Sequence, residues 1–235
     1  ARSAVWASNF NCGQTCSGNE RVIVHRQVAE EFIKLAKSAL DEIQFEGFRE
    51  VTTLNNSQQF GIVNAQLLDA KDKSKEIYQK KLPEGLIGLY NVAPSIVIEP
   101  SKAAEIYSKE TFGPVFNIQI ANSVDEMVLL ANELNYGLTA SIWTNNESFA
   151  LELSHQIEAG AIYINDHLTQ QCTPETPWGG TKSSGIGKTR AAQGLHEMSN
   201  AKHISIDRFK LNRDLWWYPY SDRKFQFFRK IARWL

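Results

Sequence analysis

The chain has 235 residues, of which 43% are hydrophobic and 22% are charged, and its formal net charge is -1. This length is sufficient for one substantial hydrophobic core, and the near-neutral charge gives no indication of a nucleic acid as partner. Three cysteines in so long a chain do not indicate a disulfide framework, and no apolar run approaches the roughly 20 residues that span a bilayer, so a reducing, cytoplasmic location is expected.

Short β-branched runs alternate with helical segments along most of the chain. Residues 1–7 are predicted to be helical from the first residue, without a preceding N-cap residue. The predicted strands are 21–25, 86–92, 95–99, 116–120, 139–144 and 161–165. The main predicted helices are 28–43, 56–70, 124–134 and 147–157, and Asn56 with Gln59 has the spacing of a capping box. This alternation predicts βαβ units, and therefore an α/β fold with a largely parallel sheet and helices on both faces.

The composition changes only near the C-terminus. Residues 208–235 contain eight Lys/Arg and two Asp/Glu, a net charge of +6. Four aromatic residues at 216–220 precede a predicted helix that begins near Ser221. The sequence is therefore divided into a domain of residues 1–207 and a basic aromatic tail of residues 208–235. We expect the tail to dock on protein, although its basic helix also has the composition of a membrane-surface element.

Residues 11–21 read Asn-Cys-Gly-Gln-Thr-Cys-Ser-Gly-Asn-Glu-Arg. A cysteine in a Gly-containing turn between a helix and a strand can serve as a nucleophile, because free backbone N–H groups there stabilise a thiolate and hold an oxyanion. Spacing alone leaves a second interpretation open, in which Cys12 and Cys16 are two ordinary buried thiols.

This segment resembles the signature of the NAD(P)-dependent aldehyde dehydrogenase superfamily. The matching positions are Asn11, Gly13, Gln14, Cys16 and Arg21. The resemblance implies that Cys16 is the catalytic nucleophile, and it leaves Cys12 as a packing thiol.

Residues 109–115, Lys-Glu-Thr-Phe-Gly-Pro-Val, resemble a second motif of the same family. By itself the run is a turn after a helix with a solvated glutamate. In the family the Glu holds the ribose hydroxyls on the nicotinamide side, and the Phe lies near the nicotinamide ring. The resemblance therefore assigns cofactor binding to Glu110 and Phe112.

Two further segments resemble the family. Residues 132–144 are expected to have a structural role. The Gly-rich run at 177–188 lacks the order of a phosphate-binding loop and resembles the segment whose aromatic residue lines the substrate tunnel. This implies substrate contacts by Trp178, which replaces the usual Phe, and by Asn165, with residues 167–175 helping to set specificity. His167 and the cysteines match no zinc spacing, so no metal is predicted.

The resemblance covers residues 1–207, about half of a complete family member. It implies oxidation of an aldehyde to a carboxylic acid with NAD or NADP, through a thiohemiacetal and a thioester on Cys16. We expect the cofactor to be bound mainly by a missing N-terminal domain, which also carries the general base and the oxyanion-binding Asn. The 235 residues alone are then expected to be inactive.

In the full-length protein a homo-oligomer is expected, with residues 203–207 as a strand added to a neighbouring subunit. Two alternatives for the function stay open. One is a coenzyme-A-acylating aldehyde dehydrogenase, and the other is a non-enzymatic redox-sensing or scaffold domain on the same fold.

Overall fold

The computed structural model describes residues 1–45, 50–87, 90–209 and 211–234. Its contacts divide the chain into two compact units, Ala1–Ser199 and Asn200–Leu235. The predicted boundary after residue 207 lies within the second unit and stays a prediction about the organisation of the chain. No helix in the described ranges is long and apolar enough to cross a membrane.

The secondary structure follows the predicted alternation. Among the described residues the helices are α1 (Arg2–Asn9), α2 (Arg26–Asp41), α3 (Ser57–Ala70), α4 (Glu105–Ser108), α5 (Val124–Asn132), α6 (Glu147–Ser154), α7 (Ala191–Glu197) and α8 (Asp222–Ile231). The strands are β1 (Arg21–His25), β2 (Ser74–Gln79), β3 (Ser95–Pro100), β4 (Val115–Ala121), β5 (Tyr136–Gly137), β6 (Thr139–Ile142), β7 (Ala161–Ile164) and β8 (Thr181–Lys182). Short 3-10 turns lie at Phe10–Gly13, Glu84–Leu86 and Thr169–Cys172.

The central sheet has the strand order β1-β4-β3-β2. Strands β1 and β3 are both parallel to β4, and β2 is an antiparallel edge strand paired with β3. Strands β6 and β7 form a separate parallel pair, and β5 pairs with β8 in antiparallel orientation. The predicted α/β fold with a largely parallel sheet is confirmed.

Both faces of the two central strands are buried. Ile96 and Phe116 pack on one face in a cluster that includes residues of α1 and α2. Val97 and Val115 belong to a second cluster, with residues of α3 and α4. Successive side chains of a strand point to opposite faces, so each strand supplies both clusters. This explains why β3 reads as a continuous apolar run, as is usual for strands covered by helices on both sides.

Helix α3 begins at the predicted place, but its capping residues act differently from the prediction. Asn56 Oδ1 accepts a hydrogen bond from the Gln59 backbone N–H (2.8 Å). The Gln59 side-chain amide donates to the carbonyls of Thr111 (2.7 Å) and Phe112 (3.2 Å). The reciprocal bond of a capping box, from the Asn56 N–H to the Gln59 side chain, is not seen among the described residues. Gln59, which the sequence pattern assigned to capping the start of α3, therefore holds the backbone at Thr111 and Phe112.

Two strand predictions need correction. Strand β2 was not predicted, because its sequence, Ser-Lys-Glu-Ile-Tyr-Gln, is mostly polar and does not alternate, so it resembles a loop. The strand predicted at 86–92 is wrong for the residues described there. The Asn91 amide donates to the Leu86 carbonyl (2.9 Å) and closes a turn, and Tyr90 has a φ of 59°. Residues 88 and 89 lie outside the described part of the chain.

The segment 203–207 forms no strand within the described residues. A strand that pairs with a neighbouring subunit needs that subunit for its hydrogen bonds. Its role in an oligomer therefore stays a prediction.

We expect Phe116→Ala to lower the free energy of unfolding by about 3–5 kcal/mol, because the ring is fully buried and its loss leaves a cavity. Leu129→Ala is the control, since that side chain is 70% exposed on α5, and it is expected to cost less than about 0.5 kcal/mol. Urea unfolding followed by circular dichroism measures both. Equal effects of the two substitutions would contradict this account of the core.

Candidate active site

The candidate nucleophile lies in a turn that leads into β1. The Gly18 N–H donates to the Thr15 carbonyl (2.8 Å), and the Asn19 N–H donates to the Ala7 carbonyl (3.3 Å). These bonds fix the turn between α1 and the sheet. Cys16 lies between Thr15 and Gly18 in this turn and is an exposed free thiol. Its sulfur is therefore accessible to a reagent or substrate from solution.

Two loops meet because of the sheet topology. The thiol loop (residues 11–20) precedes β1, and the glutamate loop (residues 109–114) precedes β4. The two strands are adjacent and parallel, with Arg21 opposite Asn117. Loops that enter neighbouring parallel strands from the same end necessarily lie side by side. The sheet therefore brings together two segments separated by about ninety residues of sequence.

The closest approach of these loops is between two glycines. A Cβ atom added to Gly13 would lie 1.9 Å from the Gly113 carbonyl oxygen, which is far inside any allowed contact. Gly13 also has a φ of 71° and follows two non-glycine residues in the left-handed region, Asn11 (53°) and Cys12 (60°). Such backbone is costly and is usually found where function requires it. Only glycine fits at position 13 in this conformation.

The second cysteine of the thiol loop is buried. The Cys12 thiol donates to the Thr52 carbonyl (2.9 Å), and the residue is 1% exposed. Burial raises the pKa of Cys12 to about 11, with the hydrogen bond opposing this shift. A thiol in this environment remains protonated at neutral pH, which fits the packing role expected for it.

A buried carboxylate links the thiol loop to the glutamate loop. Glu20 accepts hydrogen bonds from the backbone N–H groups of Thr111 (2.9 Å) and Phe112 (2.8 Å), one on each carboxylate oxygen. Burial raises the pKa of Glu20 from its ordinary 4.5 to about 7. The two N–H groups oppose the rise, and the nearby charge of Glu110 adds to it.

Sequence reasoning missed Glu20. Its position directly before Arg21 and strand β1 was the only indication in the sequence that its side chain has a structural role. Its two partners lie about ninety residues away in the chain, so the sequence pattern could not identify them.

Side chains of α3 hold the glutamate loop from the other side. The Gln66 amide donates to the Glu110 carbonyl (3.1 Å), and the Thr111 hydroxyl donates to Gln66 Oε1 (2.8 Å). Together with the Gln59 amide, these bonds fix the backbone on both sides of Thr111. The Glu110 side chain itself is exposed. The loop therefore presents a free carboxylate on a rigid backbone.

An open cleft of about 410 Å³ lies at the junction of the two loops. It is lined by Asn11, Gln14, Asn55, Asn56, Gln59 and Phe112. The Gln14 side chain accepts a hydrogen bond from the Asn55 N–H (2.9 Å), and this bond joins the thiol loop to the start of α3. Five of the six lining residues are polar, and Phe112 is the apolar one. Such a surface can receive a ligand that has both hydroxyl groups and a flat ring.

The two predicted substrate residues lie in the region of β6 and β7. Asn165 has both ends of its side-chain amide occupied, because it accepts from the Thr144 N–H and donates to the Thr144 carbonyl (2.9 Å each). Trp178 exchanges backbone hydrogen bonds with Thr189 (2.9 and 2.7 Å), and the Arg190 guanidinium lies 5.7 Å from the centre of its ring. Both assignments as substrate contacts stay predictions.

The Gly-rich run serves as a close packing surface. A Cβ atom on Gly160 would lie 1.7 Å from the Gly179 carbonyl oxygen. The Lys182 amine donates to the carbonyls of Asn132 (2.7 Å) and Leu134 (3.0 Å) at the end of α5. These contacts fit the structural role expected for residues 132–144.

His167 takes part in local packing. Its Nδ1 lies 2.8 Å from the Ser3 hydroxyl, and its ring centre lies 5.4 Å from that of Trp143. Burial lowers the pKa of His167, with Asp166 opposing the shift. Within the described ranges, no three His, Cys, Asp or Glu side chains converge to form a metal site.

Comparison with known proteins agrees with this geometry. The sequence profile described as "Aldehyde dehydrogenase family" matches residues 1–204. A chloroplastic aminoaldehyde dehydrogenase of Arabidopsis thaliana is 30% identical over 227 residues, covering 92% of this chain and 44% of that protein. The relatives' names include chloroplastic and peroxisomal forms, so the cytoplasmic location stays a prediction.

Solved structures give the same result. The NAD-dependent aldehyde dehydrogenase from Sinorhizobium meliloti superimposes with a TM-score of 0.83 at 25% identity, covering 92% of this chain and 43% of that one. Succinic semialdehyde dehydrogenase from Streptococcus pyogenes, solved with NADP+, superimposes with a TM-score of 0.80 at 28% identity, covering 87% and 45%. The chain spans less than half the length of the curated relatives that it matches. On this evidence the chain belongs to the aldehyde dehydrogenase family.

Proposed function

We propose that this chain forms the thiol-bearing part of an enzyme that oxidises an aldehyde to a carboxylic acid with NAD or NADP. Cys16 is its nucleophile. The observation that carries this proposal is the exposed Cys16 thiol on a loop that is locked against a second, carboxylate-bearing loop. Because the chain spans less than half the length of its relatives, the activity is proposed for the whole protein.

The proposed chemistry begins with addition of the Cys16 thiolate to the aldehyde carbonyl carbon. A carbon–sulfur bond forms, and the negative charge moves to the carbonyl oxygen, for which the Cys16 backbone N–H is proposed as a donor. NAD or NADP, when bound, supplies the hydride acceptor. The oxidised adduct is a thioester on Cys16, and water cleaves it to release the acid and restore the thiol.

The glutamate loop fits the cofactor. Glu110 presents an exposed carboxylate that can accept hydrogen bonds from two ribose hydroxyls, and Phe112 contributes a ring to the cleft. The backbone between them is fixed by Glu20 on one side and by Gln59 and Gln66 on the other. Preorganised contacts of this kind orient a reacting group and lower the cost of reaching the transition state.

We leave the substrate at the level of an aldehyde. The names of related proteins include aminoaldehyde, betaine aldehyde and succinic semialdehyde dehydrogenases, which differ in the charge of their substrates. Trp178 is proposed as a substrate contact. Asn165 is proposed to act through the segment that it fixes after β7, since its amide is already bonded to Thr144.

The assignment of the nucleophile predicts a selective reaction with limiting iodoacetamide. We expect Cys16 to be alkylated first, because its thiol is exposed and it occupies the motif position that the family resemblance assigns to the nucleophile. Cys12 should react slowest, since a pKa of about 11 leaves it roughly 100-fold less thiolate than an ordinary cysteine. Cys172 is the informative competitor because it is also exposed. Peptide mass mapping that finds label first on Cys172 or Cys12 would refute the assignment.

The 235 residues by themselves are expected to give no NADH with a panel of aldehydes. Family resemblance implies that the general base and most of the dinucleotide site lie outside the matched half, and a missing base alone costs about 10²–10⁴ in rate. Absorbance of NADH measures the outcome, with a full-length aldehyde dehydrogenase as positive control. NADH production that disappears in Cys16→Ser would show that this expectation is wrong.

The burial of the Glu20 carboxyl at the loop junction predicts a specific pH dependence of stability. Its pKa is raised in the folded state, so folding favours the protonated carboxyl, and its contribution to stability falls as pH rises from about 4.5 to about 7. The glutamine of Glu20→Gln does not titrate, so this variant should lack this part of the pH dependence of the unfolding free energy. The difference between the two proteins over this pH range is expected to be on the order of 3 kcal/mol.

Urea unfolding of both proteins at a series of pH values measures this difference. Glu152→Gln on α6 is the matched control, and we expect it to keep the wild-type slope because its side chain is exposed. The same pH dependence of the unfolding free energy in wild type and Glu20→Gln would show that the Glu20 carboxyl is not desolvated at this junction.

A further inference from the structure

The C-terminal unit is not explained by the family function. The family profile ends at residue 204, and residues 200–235 form a compact unit of their own. We propose that this unit binds an anionic membrane surface through helix α8 (Asp222–Ile231) and the aromatic residues next to it. The inference is independent of the proposed dehydrogenase chemistry.

Helix α8 and the residues after it separate two kinds of side chain. At 100° per residue, one half of the helix surface is apolar and carries Phe225, Phe227, Phe228, Ile231 and Trp234. The other half is polar and mostly basic, with Arg223, Gln226, Arg229, Lys230 and Arg233. A helix with aromatic residues on one face and Lys/Arg on the other is typical of elements that lie in the plane of a membrane interface.

Lys224 falls within the apolar half, but its charge does not interrupt that face. Its amine donates to the carbonyls of Trp217 (3.0 Å) and Pro219 (3.2 Å) and is thereby turned toward the preceding loop. The same two bonds hold the aromatic loop against the first turn of α8. The Ser221 hydroxyl caps the helix by accepting from the Lys224 N–H (3.3 Å). The loop and helix therefore form one locally fixed element.

Within its own unit the apolar half is only partly covered, with Phe228 half-buried and the other rings exposed. Trp234 is 91% exposed, Phe225 61% and Phe227 49%. The preceding loop adds further exposed rings, at Trp216, Trp217, Tyr218 and Tyr220. Trp and Tyr rings are favoured at the boundary between lipid headgroups and acyl chains, because one part of each ring is apolar and another can hydrogen-bond.

The charge of the tail identifies the class of surface. Residues 208–235 carry a net charge of +6, whereas the rest of the chain is negative. The basic residues flank the apolar half, so they would face the headgroups while the rings enter the interface. Each Lys or Arg near an anionic leaflet strengthens binding by about five-fold. A neutral bilayer can accept the aromatic rings but does not attract the basic side chains, so binding should require acidic lipid.

The test is co-sedimentation of the 235-residue chain with vesicles at physiological salt. We expect pelleting with phosphatidylcholine vesicles that contain about one-third phosphatidylserine, and little with phosphatidylcholine alone. Arg229→Glu, Lys230→Glu and Arg233→Glu together should weaken binding on the order of 100-fold or more. Phe227→Ser with Trp234→Ser should weaken it at least about ten-fold with no change in charge.

Matched variants in the other unit keep this test specific. Lys34→Glu, Lys71→Glu and Lys81→Glu make the same change in net charge at exposed positions, and Leu68→Ser with Leu129→Ser makes a similar apolar loss. Both controls should bind vesicles like the wild type, and circular dichroism checks that every variant is folded. Equal weakening by the controls would overturn the proposal. So would absence of vesicle binding, or a dimer in light scattering that Phe227→Ser with Trp234→Ser dissociates.

Discussion

The junction between the thiol loop and the glutamate loop is the constraint on which the candidate site depends. Gly13 lies against the Gly113 backbone at a distance that excludes any side chain, and the Glu20 carboxylate accepts the N–H groups of Thr111 and Phe112. The first contact sets how closely the loops approach, and the second sets their register. If either were lost, the Cys16 turn and the Glu110 carboxylate would no longer be held in a fixed relation.

This junction is costly in isolation and is stabilised by the fold around it. A carboxylate is buried, and three non-glycine residues, Asn11, Cys12 and Phe112, adopt left-handed backbone conformations. Each of these features costs free energy that local hydrogen bonds only partly recover. The sheet tolerates them because β3 and β4 are buried between helices, and the free energy of burying this apolar core offsets the cost. Part of the backbone strain of the chain is thus located where the proposed chemistry takes place.

The two units use their aromatic residues differently. In the domain, Phe116 is fully buried and fills the core between sheet and helices. In the C-terminal unit, Phe225, Phe227 and Trp234 remain exposed beside a row of basic residues. The sequence-based expectation was that the tail docks on protein. Docking on protein stays a prediction. The apolar half of α8 that its own unit leaves exposed, combined with the basic half, supports the anionic membrane surface proposed above.

The sequence by itself determined the fold class, the ends of β1 and the positions of most helices, because these follow from local periodicity and capping. It also indicated Cys16, Glu110 and Phe112 through short motifs whose residues are close together in the chain. It did not indicate the edge strand β2, whose half-polar pattern resembles a loop, or the use of Gln59 and Glu20 to fix the glutamate loop. These contacts join residues that are dozens of positions apart. The parallel pairing of β1 with β4 brings Glu20 beside the glutamate loop, and Gln59 reaches the same loop from α3. Local pattern specifies an element, whereas the partner of a buried polar group is decided by topology.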